Sequence, residues 1–268
     1  MYTIFGSSGF IGREIIKKLK QKKMKVFKPK KNVFKFSKNL GHVIYCVGSD
    51  DWKDKPKKGY FSNLGHLQQI VHNNNFKSFI FLSTTRLYLN SSRTVSEKNN
   101  ILVKPDNINY YYNILKAASE SLLLSLNKNI IILRLSNVFG NNFNSPLLLP
   151  TLVRNAIQKS KINISININS TKDYISINDV IDLIFKIQKK NRFRIYNIAS
   201  GKNITLKKII QIIRGKTNCR VFTKNQNIKI KEPIININRI KKEYNFKPSL
   251  NIEKDLPVLI ANFKKRLK

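Results

Sequence analysis

The chain of 268 residues carries 51 lysines and arginines against 14 acids, a formal net charge of +37, with 41% hydrophobic and 10% aromatic residues. That apolar share excludes a disordered chain and allows one packed core, or a nucleotide-binding domain with a smaller lobe grown from its carboxyl end. Such a charge ordinarily points to nucleic acid or an anionic surface, but the lysines come with a matching excess of Asn and Ile in every segment, so it reads as a chain-wide bias rather than a local basic stripe.

Two cysteines, Cys46 and Cys219, lie far apart with no Cys or His cluster around them, so neither a disulfide framework nor a metal site is expected. No apolar run reaches transmembrane length, and Met1 to Phe5 runs into glycines without the basic start of a signal peptide. A cytoplasmic protein with no membrane insertion is the expectation.

In chain order, Tyr2 to Phe5 is a short β-rich run, followed by Gly6-Ser7-Ser8-Gly9-Phe10-Ile11-Gly12 and then by Ile11, Ile15, Ile16 and Leu19 at helical spacing. This strand, glycine turn and helix let backbone N–H groups approach a pyrophosphate, which rests on the positive end of the helix. Residues 24–27 read as a second strand. Beyond it an acidic residue would suit the ribose hydroxyls of NAD, yet Lys28, Pro29, Lys30 and Lys31 stand there, cations that lean toward the 2′-phosphate of NADP. Residues 42–48 form the next strand, and the short gap before it leaves little room for a crossover helix.

Asn63 to Leu67 starts a helix, and residues 76–83 are a strand ending in Ser83-Thr84-Thr85-Arg86. The plainer reading of that end is a Ser-Thr turn bonded to its own backbone. Within residues 110–120, Ile114, Leu115, Ala118, Leu122 and Leu123 make an apolar helical stripe, and only Tyr112 has a lysine four residues on. Lys116 then sits one turn from the Tyr112 phenol, where an ammonium favours phenolate and fits the group for acid or base work. In so lysine-rich a chain such a pair also arises by chance, so its weight comes from its position after the glycine turn and the Ser-Thr strand end.

Residues 130–135 are a continuous apolar run of the parallel-sheet kind. A Pro-containing loop at 141–150, a helix at 152–158, a polar β-like stretch to Ser170, the segment 171–180 and a strand at 194–199 follow, without internal repeats.

Taken together, Gly6/Gly9/Gly12, Ser83-Thr84, Tyr112/Lys116 with Glu120, and the segments 134–140, 172–180 and 196–201 resemble the NAD-dependent epimerase/dehydratase branch of the extended short-chain dehydrogenases. The resemblance implies an α/β fold, a Rossmann-like doubly wound parallel sheet with a small carboxyl-terminal substrate lobe, here with the third strand and its helix shortened or missing. It divides the chain into 1–140 with 174–200 for the dinucleotide and 141–173 with 201–268 for the substrate. Gly6, Ser8, Gly9, Phe10, Ile11, Gly12, Lys28, Tyr112 and Lys116 are the implied NAD or NADP contacts. Tyr112, Lys116 and Thr84, with Ser83 in reserve, are the implied catalytic set. Asn137 and the segment 141–144 fall where related enzymes contact the nucleotide diphosphate of the substrate, a nucleotide-activated sugar, and Lys172 with Asp173 falls near the return of the substrate lobe, although Lys172 reads equally as solvated charge. His42, His66 and His72 read as structural or surface residues.

The activity implied is that of a 4-epimerase or 4-keto reductase making surface polysaccharide precursors. The 4,6-dehydratases carry an Asp-Glu pair where Thr85-Arg86 stands, and the 3,5-epimerase/reductases place a cysteine near that strand end, where this chain has none. A homodimer is compatible with the family. The alternative is a non-catalytic RNA-binding or scaffold protein on the same fold, motivated by the charge.

Overall fold

The computed structural model describes residues 1–48, 55–91, 94–223 and 232–267. The chain begins with β1 (Tyr2–Phe5), α1 (Phe10–Gln21), β2 (Val26–Phe27) and β3 (His42–Tyr45). The helices α2 (Pro56–Tyr60) and α3 (His66–Asn73) are joined by a wider π turn, Phe61–Gly65, and lead to β4 (Ser78–Thr84). Then come β5 (Thr94–Val95), α4 (Tyr111–Ser125), β6 (Ile130–Leu135), β7 (Asn137–Phe139), α5 (Leu148–Gln158), β8 (Lys161–Ile164), β9 (Thr171–Ser176) and α6 (Ile177–Lys189). The rest is β10 (Ile195–Ile198), β11 (Asn203–Thr205), α7 (Leu206–Thr217), β12 (Arg220–Thr223), β13 (Ile234–Ile235), α8 (Asn238–Tyr244) and α9 (Ile252–Leu267).

Six strands form one parallel sheet in the order β10-β6-β4-β3-β1-β2. Its register aligns Ile4, Ile44, Ile80 and Ile131 across one face and Phe5, Tyr45, Phe81 and Ile132 across the other. Both rows are buried, the first beneath α1 and α6, the second beneath α3 and the far end of α4. That is why these strands carry apolar residues on both faces: each face of a parallel sheet is roofed by its own crossover helices.

The order reverses at β1, with β2 on one side and β3 on the other, so a crevice opens at the carboxyl ends of these two strands. Residues 28–41, all of them described, form neither a helix nor a further strand, in keeping with the short spacing in the sequence. A loop fills the place, its Phe36 packed on Phe5 and Phe27 of the sheet and its Phe34 on Phe61 and His66. Asn74 pins it from the end of α3, donating to the Phe34 carbonyl at 2.7 Å and accepting from the Phe36 amide at 2.9 Å.

A second apolar cluster gathers α5, β8, α7 and α9 around Val153, Ile162, Ile213, Leu256 and Phe263. Not all of the described residues of 201–268 join it. Ile235, Ile237, Ile240 and Phe246 pack instead with the core of the large sheet, because β13 and α8 return the chain to the side of β10. Two helix starts also lie earlier than the residue patterns suggest. Pro150 falls in the first turn of α5, where a missing N–H costs nothing, and Pro56 opens α2 in the same way.

Candidate active site

The carboxyl ends of β1, β3, β4 and β6 meet in one cleft of about 930 Å³, lined by Gly9 to Arg13, Cys46 to Gly48, Leu82 to Arg86, Tyr112, Lys116 and the segment from Leu135 to Pro150, together with Lys172, Tyr174, Glu232, Leu259 and Arg266. The residues expected from sequence converge here: Gly9, Phe10, Ile11, Gly12, Ser83, Thr84, Tyr112, Lys116, Asn137, Asn141 to Asn144 and Lys172 all line it. Gly6 and Ser8 belong to the turn beneath. Lys28, Lys30 and Lys31 do not line the cleft, and Lys30 and Lys31 are exposed.

The three glycines do different things. Gly6 has φ +75°, and a Cβ there would lie 2.8 Å from the Cys46 carbonyl. A Cβ on Gly12 would lie 2.3 Å from the Gly6 carbonyl oxygen, so both positions are closed to a side chain by backbone. Gly9 has an ordinary φ of −70° and only the Gly6 oxygen near its missing Cβ, at 3.3 Å. It precedes α1 with no side-chain cap, so the first amides of that helix, which have no partner within it, open toward the cleft. This cradle fits the pyrophosphate of a dinucleotide.

Lys116 is buried, 3% exposed, with Nζ donating to the Leu82 carbonyl at 3.1 Å. The ammonium lies 4.7 Å from the centre of the Phe81 ring and 5.8 Å from that of Tyr112. Burial pushes the Cys46 thiol up to about 12, with the Lys116 charge pulling the other way, so it remains protonated at neutral pH. Gly48 borders this corner, where a Cβ would make ordinary contacts, 3.8 Å from the Lys116 Nζ and 3.4 Å from Asn63 Oδ1. Asn63 sits in the π turn, fully buried, its amide nitrogen donating to Gly59 and its Oδ1 without a hydrogen-bond partner among the described residues. Sequence reasoning did not single out Gly48, which lines the cleft; a glycine at a strand end was the available signal.

Ser83 and Thr84 separate by the alternation of the strand. Ser83 faces α4 and donates to Glu120 Oε1 at 2.5 Å, beside Arg134 on the neighbouring strand. Its one hydroxyl proton is thereby committed, which removes it as a stand-in for Thr84. Thr84 ends the strand, and its Oγ1 accepts the Arg86 amide at 3.1 Å. The turn is there, yet the oxygen accepts, so its O–H proton remains to be donated into the cleft. Asn137 donates to the Asp173 carbonyl at 2.9 Å, and Asp173 is itself a buried organiser of the turn at Ser200 to Lys202. His66 bonds the Tyr45 hydroxyl, His42 bonds Ser78 and Gln188, and His72 is exposed, so none of the three lines the cleft.

The NAD dependent epimerase/dehydratase family model matches residues 2–199. The chain belongs to this family. It is 24% identical over 220 residues to the dTDP-4-dehydro-6-deoxyglucose reductase of Escherichia coli, a match covering 76% of this chain and 66% of that relative. Among solved structures, MoeE5 in complex with UDP-glucose and NAD superimposes with a TM-score of 0.85 at 15% identity, over 100% of this chain and 99% of that one. RMD from Pseudomonas aeruginosa, complexed with NADPH, does so with a TM-score of 0.80 at 15% identity, over 99% and 97%. Among the described residues no helix is long and apolar enough to cross a membrane, and no group of His, Cys, Asp or Glu is placed to hold a metal ion.

Proposed function

We propose that this protein is an NAD(P)-dependent 4-epimerase or 4-keto reductase of a nucleotide-activated sugar, feeding polysaccharide precursor synthesis. The observation that carries the reading is the meeting of Tyr112, Lys116 and Thr84 with the glycine cradle in one cleft. When bound, the nicotinamide supplies the hydride chemistry. Gly9, Phe10 and Ile11 would hold its pyrophosphate and Lys116 its ribose. Tyr112 moves the proton at the reacting sugar oxygen, as general base for oxidation and general acid for reduction. Thr84 donates to the same oxygen as charge develops on it. Five cations, Arg13, Arg86, Lys116, Lys172 and Arg266, line the cleft and suit two anionic ligands. Residues 141–173 with the α7 and α9 helices supply the substrate lobe in this reading. The non-catalytic alternative is not favoured, because the family match covers the whole of the region that carries the catalytic set.

The deciding experiment is to denature the purified protein and identify any nicotinamide nucleotide released. Tightly retained oxidised cofactor supports an epimerase, an empty protein that consumes NADPH supports a reductase, and neither uptake nor turnover refutes both.

Gly9→Val is expected to abolish cofactor binding by calorimetry with little change in Tm, because its side chain projects toward the pyrophosphate and meets only one backbone oxygen. Gly12→Ala should instead lower Tm, since backbone must move. For the cofactor's identity, NADP(H) is expected to bind at least as well as NAD(H), with Lys28, Lys30 and Lys31 reaching its 2′-phosphate from outside the cleft. Replacing all three by Gln should cost NADPH about tenfold in affinity, roughly one charge-assisted contact, and leave NADH unchanged. A preference for NADH that survives the triple replacement would refute this.

A further inference from the structure

Amid the five cations of the cleft, Glu232 is the one carboxylate among its described lining residues. A cleft for two phosphate-bearing ligands gains nothing in affinity from an acid near the phosphates, so the position of this one matters. Glu232 Oε1 lies 3.4 Å from the Lys172 ammonium, with both side chains about three-quarters buried. Asn203 fixes its backbone by donating to the Glu232 carbonyl at 2.7 Å. Burial pushes the carboxyl above its ordinary range, Lys172 and the Arg86 guanidinium pull it back, and Asp173 pushes it up again. Arg86, whose charge acts on the Glu232 carboxyl, lies two residues past Thr84 and donates its backbone amide to the Thr84 hydroxyl oxygen, so Glu232 is tied electrostatically to the segment that carries Thr84.

We propose that Glu232 is the specificity-determining residue for the glycosyl group, its carboxylate accepting hydrogen bonds from sugar hydroxyls while Lys172 beside it faces the diphosphate. The inference rests on the nucleotide-sugar reading. A carboxylate is acceptor-only, and its two oxygens match a pair of neighbouring hydroxyls on a sugar ring. The Lys172–Glu232 pair then marks the boundary in the cleft between diphosphate and sugar: the ammonium is repelled by nothing in a phosphate, and the carboxylate by nothing in a neutral sugar.

The test is calorimetric binding of UDP and UDP-glucose, and of dTDP and dTDP-glucose, to the full chain and to Glu232→Gln. In the wild-type protein the sugar nucleotide should bind more tightly than its parent diphosphate. The variant should lose about tenfold in affinity for the sugar nucleotide while its affinity for the diphosphate stays equal or rises, since a repelling charge has gone. An equal loss for both ligands, or no loss for the sugar nucleotide, overturns the assignment to the sugar. A wild-type chain that binds neither ligand of either pair overturns the nucleotide-sugar reading itself, a different result. Denaturation of the variant guards against a fold effect: a several-degree fall in Tm with losses for both ligands assigns Glu232 a structural part and sinks the proposal.

Discussion

Tyr112→Phe is expected to lower turnover of a nucleotide-sugar substrate by roughly two to four orders of magnitude, the usual scale of a general acid or base contribution. The ring and its neighbourhood to Lys116 persist, and one half-buried hydroxyl costs only about 1 kcal/mol of stability, so the variant should fold and keep its cofactor. Lys116→Met should damage turnover as well and weaken cofactor binding, and it also removes the donor that Lys116 offers to the Leu82 carbonyl. Equal turnover of Tyr112→Phe and the wild-type protein would make the Tyr112/Lys116 spacing a coincidence of a lysine-rich chain and remove the centre of the proposed mechanism.

The largest effect on stability is expected beneath the cleft. Glu120 on α4, 3% exposed, accepts from Arg134 Nη2 at 2.6 Å, from Arg134 Nε at 3.1 Å and from Ser83, while Arg134 Nη1 reaches the Tyr88 hydroxyl at 2.6 Å and Tyr88 reaches Asn197 at 2.9 Å. Burial works against the Arg134 charge, but Glu120 and the Tyr88 oxygen outweigh it and hold the guanidinium above its ordinary value. Glu120→Ala strands that charge and should cost about 3–5 kcal/mol, read from urea denaturation. The double variant Glu120→Gln with Arg134→Met, which removes both charges, should be milder than Glu120→Ala alone. A loss below about 1 kcal/mol for Glu120→Ala would show that the ion pair does not hold α4 to the sheet.

The same helix shows where the sequence is legible and where it is not. The apolar rows of β1, β3, β4 and β6 follow from continuous runs of Ile and Phe, and the missing third strand from a gap too short to hold it. Periodicity predicts that α4 buries Ile114, Leu115, Ala118, Leu122 and Leu123, but only Leu115 and Leu123 of these are fully buried. Its inward face is otherwise Asn113, Lys116, Ser119 and Glu120, each satisfied by a partner distant in sequence: Arg86, the Leu82 carbonyl, the Asn63 carbonyl and Arg134. Hydrophobic periodicity is blind to a helix that docks through polar groups, because their partners exist only once the fold is made. Sequence alone prefers Thr84 but keeps Ser83 in reserve for the same reason: one position of strand register separates them, and register is a property of the sheet. Glu232 is invisible to sequence reasoning because nothing around it in the chain separates it from a solvated charge.

The loop that replaces the third strand and its helix bears on how long a cofactor stays. With a loop pinned by Asn74 in that place, the adenosine end of a dinucleotide held in the proposed way would meet less protein than a further strand and helix would give it. A weaker grip at one end acts chiefly on the rate of departure. A short residence time is a handicap for an enzyme that must return hydride to the molecule it came from. It suits one that takes up reduced cofactor and releases it oxidised at every turnover, and of the two activities proposed for this cleft that is the reductase.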